Sequence, residues 1–345
     1  MRHQKYTDTS ETTMQQRDEK IDNIKGALML LVIFGHMIEP LINANRMLSD
    51  IYNFVYLFHI PAFVLLSGYL SGYSSSIKWN SLMKGIVIPL LMFSVIYELP
   101  DLLNTENISG YLRTLTPNWI LWFLVSMFFW RLMTPLVMIV RFAIPLSILL
   151  SILISLTSVD GYTYGVFRTI IFFPFYLIGV MLNPQQEKLK GVQVKHLLSL
   201  GSLALLVSIP LMNLPFNRYF LYGVAPFGAF GYTNEMGIIQ RIEYYPIAFI
   251  TIILFSFAMA NCKMFGVIGK NSLYVYLWHG LIVKYYFWPQ VISSMPVTWK
   301  AIALAVTVSL VLGYLLSTRY VVTLTNFVID MLYRLLVRQQ LKSVS

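Results

Sequence analysis

Three ionisable side chains share one face of the first apolar segment, and their types suit acid–base chemistry. The segment IDNIKGALMLLVIFGHMIEP contains Lys25, His36 and Glu39. In an α-helix, Lys25 and His36 would be three full turns plus about 20° apart, so they lie on one face about 16 Å from each other along the axis. Glu39 follows His36 by one further turn and is within hydrogen-bonding reach of its ring. The imidazole is a candidate general base, and the lysine is a candidate ligand for a phosphate group.

Three other apolar segments carry groups of the same kind. The stretch YLFHIPAFVLLSGYL contains His59 and Tyr69, KGIVIP begins at Lys84, and NSLYVYLWHGLI contains His279. A structural alternative stays open for each, because a buried histidine often serves packing. Lys25 and Lys84 can likewise be interfacial cations whose apolar stems lie along the membrane.

The composition places these groups inside a membrane. Of the 345 residues 57% are hydrophobic and 12% are charged, about half of the roughly 25% charged residues in soluble domains. A charge or an imidazole at bilayer depth is costly and is therefore a functional candidate. The single cysteine, Cys262, excludes an internal disulfide, and no Cys/His spacing typical of a metal site occurs.

The apolar stretches predict an all-α fold, a polytopic transmembrane bundle of about ten helices with both termini cytoplasmic. A span needs about 20 apolar residues, and three of the ten candidates are short. The candidates are 24–42, 51–73, 82–98, 118–140, 142–157, 166–182, 195–212, 244–260, 272–289 and 298–317. The first lacks a small-residue cleavage site and is predicted to be a retained helix. The stretch 213–243 fits a loop, a re-entrant piece or a partial helix.

The cations predict the orientation. Lysines and arginines concentrate in alternate connecting segments, so the net charge of +10 is interpreted as a topology signal and not as a nucleic-acid surface. We therefore predict a cytoplasmic N-terminal tail at 1–23, a transmembrane domain at 24–318 and a cytoplasmic amphipathic tail at 319–345, lying on the membrane surface. The internal repeat of many transporters is not found. Trp119 and Trp122 are interpreted as interfacial anchors.

Five motifs in a fixed order resemble the acyltransferase-3 family of bacterial membrane acyltransferases, in particular the subgroup similar to fucose 4-O-acetylases. They are DNIKGALMLLVIFGH, FHIPAFVLLSGYL, KGIVIP, LWFLVSMFFWRL and YVYLWH. The resemblance covers nearly the whole chain. One departure is Lys25, which stands where the family has an arginine and keeps its charge but not its two-pronged hydrogen bonding.

The resemblance implies O-acylation, most often acetylation, of a cell-surface or exopolysaccharide sugar. The co-substrate would be cytoplasmic acyl-CoA, most often acetyl-CoA, with no permanently bound cofactor and no metal. The implied site assigns catalysis to His36 and Glu39 and coenzyme A phosphates to Lys25 and Lys84. His59, Tyr69 and His279 would line the substrate channel. The acceptor sugar and hydroxyl, the acyl group, the oligomeric state, and whether His36 is a base or an acyl carrier stay open.

Two other functions also fit the sequence. An exporter of a polysaccharide or its lipid-linked precursor would use the histidines to relay protons, and an inactive relative would use none of them. The expected partners are the lipid bilayer, acyl-CoA and a glycan or lipid-linked sugar acceptor, without nucleic acid. Any extracytoplasmic or glycan-synthesis partner is expected to be a separate chain. The expected location is the bacterial plasma membrane, with multiple passes.

Overall fold

A computed structural model describes residues 18–43, 46–105, 116–183, 194–209, 214–292 and 299–337. Every regular element in these ranges is helical, which confirms the predicted all-α class. Residues 1–17 of the predicted N-terminal tail and 338–345 of the predicted C-terminal tail lie outside the described residues.

The helices are numbered in chain order. The α-helices are α1 Glu19–Ile38, α2 Arg46–Ser71, α3 Trp79–Leu82, α4 Ile88–Thr105, α5 Trp122–Val137, α6 Ala143–Ser155, α7 Val166–Ile171, α8 Phe173–Leu182, α9 His196–Ser208, α10 Arg218–Tyr222, α11 Asn234–Met259, α12 Gly266–Lys270, α13 Ser272–Ile282, α14 Trp299–Leu316 and α15 Arg319–Leu336. The π-helices are Met83–Val87, joining α3 to α4, and Val283–Ile292, following α13.

Among the described residues, six helices are long and apolar enough to cross a membrane, or seven if the bent pair α7–α8 is one span. The pair is bent by 53°. Helices α6 and α9 are apolar but have 13 residues each, which gives about 20 Å against a hydrocarbon core of about 30 Å. The predicted count of about ten spans is therefore not confirmed, although each predicted stretch is at least partly helical.

Helix α1 lies at the centre of the bundle. It contacts α2, α11, α12, α13 and α14, and its residues Leu28 and Ile33 are fully buried. The segment that carries Lys25 and His36 is thus enclosed by other helices, and only the side of α1 that faces a cavity is accessible to a ligand.

Glycines let the helices approach closely beside the centre. A Cβ atom on Gly68 in α2 would lie 2.1 Å from the carbonyl oxygen of Tyr176 in α8, and one on Gly179 would lie 2.0 Å from that of Leu65. Membrane helices have no hydrophobic force between them, so close packing of small residues is a main source of their association. These two glycines therefore fix how α2 sits against α8.

The stretch 213–243, ambiguous in the sequence, is a partial helix in its described part. It contains α10, a short 3₁₀ turn at Phe227–Phe230 and the first turns of α11. Arg241 is fully buried in α11, with its guanidinium carbon 4.0 Å from the ring centroid of Phe220. This cation–π contact attaches the aromatic segment to α11, so Arg241 is packed against protein, whereas Asn234 and Glu235 at the start of α11 are exposed.

The amphipathic helix predicted in the C-terminal tail is present as α15. Its apolar residues Leu324, Phe327 and Leu335 are exposed, as expected for a helix on a membrane surface. Its polar side bonds to the bundle, where the Tyr333 hydroxyl donates to Asn80 Oδ1 at 2.8 Å.

We expect Gly68→Ala to destabilise the protein, because the added methyl group would overlap the backbone of α8. Overpacking of this kind costs about 1–3 kcal/mol, so the thermal unfolding midpoint in detergent should fall. Gly201→Ala in α9 is the matched control, because no atom lies within 4 Å of its added Cβ. Equal stability of the Gly68 and Gly201 variants would contradict the close contact of α2 and α8.

Candidate active site

One cavity borders the side of α1 that carries Lys25, His36 and Glu39. Its volume is about 340 Å³, and its lining includes Lys25 at one end and His36 with Glu39 at the other. We call the end beside Lys25 the inner end and the end beside His36 the outer end. The face predicted from helix periodicity is therefore the face that borders the cavity.

His36 and Glu39 form a hydrogen-bonded pair at the outer end. Nδ1 of His36 lies 3.2 Å from Oε2 of Glu39. The side chains are 14% and 29% exposed, so they are sheltered but open to a ligand in the cavity. A carboxylate can only accept, so Nδ1 carries the proton when Glu39 is ionised and Nε2 is left as a base.

Aromatic contacts hold the His36 ring in place. The Trp119 ring lies 4.5 Å from it and the His279 ring 5.7 Å from it, centroid to centroid. Gly35 allows the Tyr56 ring to approach α1 closely, 3.2 Å from where a Cβ would be. The indole nitrogen of Trp288 donates to the His36 carbonyl oxygen at 2.9 Å. Residues from four separate segments thus fix the position of one imidazole.

The other two predicted channel histidines have fixed tautomers. Nδ1 of His59 donates to the Val55 carbonyl oxygen at 2.6 Å, and Nδ1 of His279 donates to that of Val275 at 3.0 Å. His59 lines the cavity. His279 is fully buried behind His36, and its Nε2 has no hydrogen-bond partner within the described part of the chain.

Tyr69 and Lys84 lie away from the cavity lining. Tyr69 is buried against α8, and its carbonyl oxygen accepts from Asn183 Nδ2 at 2.7 Å. Lys84 bonds to Asp330 of α15 at 2.7 Å and lies 4.6 Å from the Tyr333 ring centroid. The structure therefore gathers Lys25, His36, Glu39 and His59 around one cavity, whereas the roles of Tyr69 and Lys84 stay predictions.

The interpretation of Trp119 and Trp122 as interfacial anchors is wrong. Both line the cavity, because a 3₁₀ turn at Trp119–Leu121 precedes α5 and folds the segment inward. With Tyr52, Tyr56 and Tyr222 they surround the outer end. The Tyr52 and Tyr222 hydroxyls are 2.7 Å apart, and burial raises the pKa of the Tyr222 phenol, which stays protonated at neutral pH.

The sequence reasoning overlooked two arginines, Arg131 and Arg168, that line the cavity. Each lies in an apolar stretch, and the rule that intramembrane charges are functional candidates would have selected them. Nη1 of Arg131 makes a long contact of 3.5 Å to Ser81, and its buried Nε has no partner among the described residues. Arg168 lies with its guanidinium carbon 4.7 Å from the Trp122 ring centroid.

In the part of the chain that the structure describes, no group of three or more His, Cys, Asp or Glu side chains is arranged to hold a metal ion.

Comparison with known proteins gives two similar relatives. The nodulation protein NolL of Sinorhizobium fredii is 26% identical over an alignment of 203 residues, and the match covers 52% of this chain and 52% of that protein. The nodulation protein NolL of Mesorhizobium japonicum is 29% identical over an alignment of 195 residues, and the match covers 48% of each chain. The matched part of the chain thus spans about half the length of these relatives. No solved structure matches the chain.

The family comparison covers far more of the chain. The acyltransferase domain of the acyltransferase-3 family matches residues 18–318, which include every side chain that lines the cavity. Together with the apolar helices, this match shows that the chain is a multi-pass membrane protein and belongs to the acyltransferase-3 family.

Proposed function

We propose that this protein is an O-acyltransferase of the bacterial plasma membrane. It transfers an acyl group, in the first instance acetyl, from cytoplasmic acyl-CoA to a hydroxyl of a cell-surface or exopolysaccharide sugar. The observation that carries the proposal is the single cavity, with cations at its inner end and the His36–Glu39 pair at its outer end. These two ends suit an anionic donor and a hydroxyl acceptor that approach from opposite sides.

The inner end suits the phosphates of the donor. Arg131 lies twelve residues after Trp119, which contacts His36, so helical rise places it about 18 Å toward the inner end. This is close to the depth of Lys25, about 16 Å from His36 by the same measure. Arg131 restores the planar, two-pronged group that Lys25 lacks, and such a group binds phosphate oxygens in pairs.

The middle of the cavity suits the thioester arm. Its walls there are mainly apolar, with Met29, Val32, Phe63, Phe123 and Met127. A narrow apolar passage accepts a flexible arm and a short acyl group, while the charged nucleotide stays at the inner end. The thioester carbon can then reach His36 without the nucleotide crossing the bundle.

The outer end suits proton transfer from the acceptor. Glu39 fixes Nδ1 of His36, so Nε2 takes the proton of the sugar hydroxyl as the oxygen attacks the thioester carbon. Glu39 then stabilises the imidazolium. When the carbon–sulfur bond breaks, the imidazolium returns the proton to the leaving thiolate.

We expect His36→Ala to lower acyl transfer by at least about 10²-fold, the usual contribution of a general base. The measurement is release of coenzyme A and transfer of labelled acetyl to a glycan panel, with protein in nanodiscs. His196→Ala is the matched control, because His196 is exposed on α9 outside the cavity lining. Normal transfer by a folded His36 variant would exclude His36 as the base, and no acyl-CoA consumption by the unmodified protein would favour the exporter.

We expect Lys25→Gln and Arg131→Gln each to raise the KM for acyl-CoA by about tenfold, because each variant loses one charge-assisted hydrogen bond worth about 1.5 kcal/mol. Lys195→Gln is the control, since Lys195 is exposed at the start of α9. Lys84→Gln belongs in the same series. A rise as large as that of Arg131→Gln would show that Lys84 contacts the donor despite its bond to Asp330, and no rise for Arg131→Gln would contradict the assigned donor site.

We expect a cysteine at Ser67, placed in a Cys262→Ser background, to react with an impermeant maleimide from the cytoplasmic side only. Ser67 lines the cavity on the part of α2 nearer the inner end, and acyl-CoA should slow the reaction. Ser151→Cys is the control, because Ser151 is fully buried and accepts from the Tyr245 hydroxyl. Labelling of Ser67→Cys from the opposite side alone would reverse the predicted orientation.

A further inference from the structure

We infer that Arg168 is a further catalytic residue, which donates hydrogen bonds to the oxyanion formed when the acceptor hydroxyl attacks the thioester. This inference rests on the proposed function. It concerns a side chain outside the predicted site, and it follows from how Arg168 is held and from the charges of the outer end.

Two contacts fix Arg168 beside the cavity. Its Nε donates to the Tyr222 carbonyl oxygen at 3.3 Å, and its guanidinium carbon lies over the Trp122 ring, 4.7 Å from the ring centroid. The hydrogen bond uses Nε alone, so the two terminal nitrogens are left for another partner. Within the described ranges neither of these nitrogens has a hydrogen bond. No carboxylate oxygen there lies within 4.0 Å of them, the distance limit for an ion pair.

An arginine held in this way is suited to an oxyanion. Removing a guanidinium from water is costly unless its donors are satisfied. A fixed cation whose donors are free is already oriented when negative charge develops, so no reorganisation is needed at that moment. Trp122 and Tyr222 therefore keep Arg168 ready for an anion that exists only during the reaction.

The charges of the outer end match those that the reaction creates. Before reaction the outer end holds one fixed anion, Glu39, and one fixed cation, Arg168, both lining the cavity. Attack moves the hydroxyl proton to His36 and the carbonyl electron pair to oxygen, which creates a cation and an anion. The new cation is bonded to Glu39, and we place the new anion at Arg168. Separating unlike charges costs most where the dielectric is low, so each developing charge needs its own fixed partner.

The step is balanced. The acceptor oxygen forms a bond to the thioester carbon, and its proton goes to Nε2 of His36. The carbonyl π electrons become the oxyanion held by Arg168. Collapse re-forms the carbonyl group and breaks the carbon–sulfur bond, and the thiolate leaves with the proton from His36.

The test compares Arg168→Gln and Arg168→Lys with the unmodified protein. We expect Arg168→Gln to lower kcat by about 10²–10³-fold, the usual loss for one oxyanion donor, for both acyl transfer and acceptor-free thioester hydrolysis. The KM values should change little. Arg168→Lys should lose less, because it keeps the charge but not the fork. Arg218→Gln is the matched control, since Arg218 lies outside the cavity lining and donates to Asn43 Oδ1 at 2.8 Å.

A chemical rescue separates this role from a packing role. Arg168→Gly leaves a space beside Trp122, and millimolar guanidinium chloride should restore kcat in that variant without changing its thermal unfolding midpoint. Loss of activity without rescue, together with a lower midpoint, would overturn the inference in favour of a structural contact.

Two further results would also overturn it. One is an unchanged kcat in Arg168→Gln while His36→Ala remains inactive, which would leave the proposed function intact. The other is a change confined to the KM of acidic acceptors, which would make Arg168 a substrate-binding group. Failure of the unmodified protein to consume acyl-CoA would contradict the proposed function itself.

Discussion

The cost of placing charge in a low-dielectric interior governs the arrangement of this molecule. An ionisable side chain can lie within the bundle only if a counter-charge, a hydrogen bond, an aromatic ring or a cavity accompanies it. His36 satisfies this condition through Glu39, and Arg241 through the aromatic ring of Phe220. Lys25 satisfies it through the cavity and through Asp22, 3.9 Å away. The cavity is therefore what makes a row of polar groups along α1 compatible with an apolar protein.

The row of polar groups along α1 requires this helix to lie at the centre of the bundle, and close contacts with neighbouring helices hold it there. At the start of α1, a Cβ on Gly26 would lie 2.1 Å from the carbonyl oxygen of Phe265, and one on Gly269 in α12 would lie 1.7 Å from that of Asp22. At this end α1 is thus pressed against backbone, without room for side chains between them, on a side about 100° round the helix from Lys25. The first turns of α1 therefore carry a packing contact and a cavity-lining side chain on adjacent sides.

The sequence predicted the parts of the site that belong to one helix. Lys25, His36 and Glu39 are related by the period of α1, and that period does not depend on the rest of the fold. The surroundings of Lys84 could not be predicted in this way. It lies in the π-helix Met83–Val87, whose changed period alters which side chains face the bundle, and Asp330, to which it bonds, is distant in sequence.

Long-range packing likewise decided the positions that the sequence left open or assigned wrongly. Trp119 meets His36 only because a 3₁₀ turn folds the chain inward before α5. Tyr69 faces α8 because two glycines bring that helix close. Arg168 is placed by Trp122 and Tyr222, from two other segments. Local periodicity contains no information on contacts of this kind.

The apolar middle of the cavity also has a consequence for the energy supply of the cell. A passage between the two sides of a membrane would dissipate the proton gradient if water and ions filled it. Rings of apolar side chains favour dewetting, and fixed cations repel protons and metal cations. If the cavity joins the two sides of the membrane as proposed, Met29, Val32 and Phe63 in its middle and Lys25 and Arg131 in its lining would hold the empty protein closed to ions. The arm of a bound substrate would then occupy the passage without opening a conducting path.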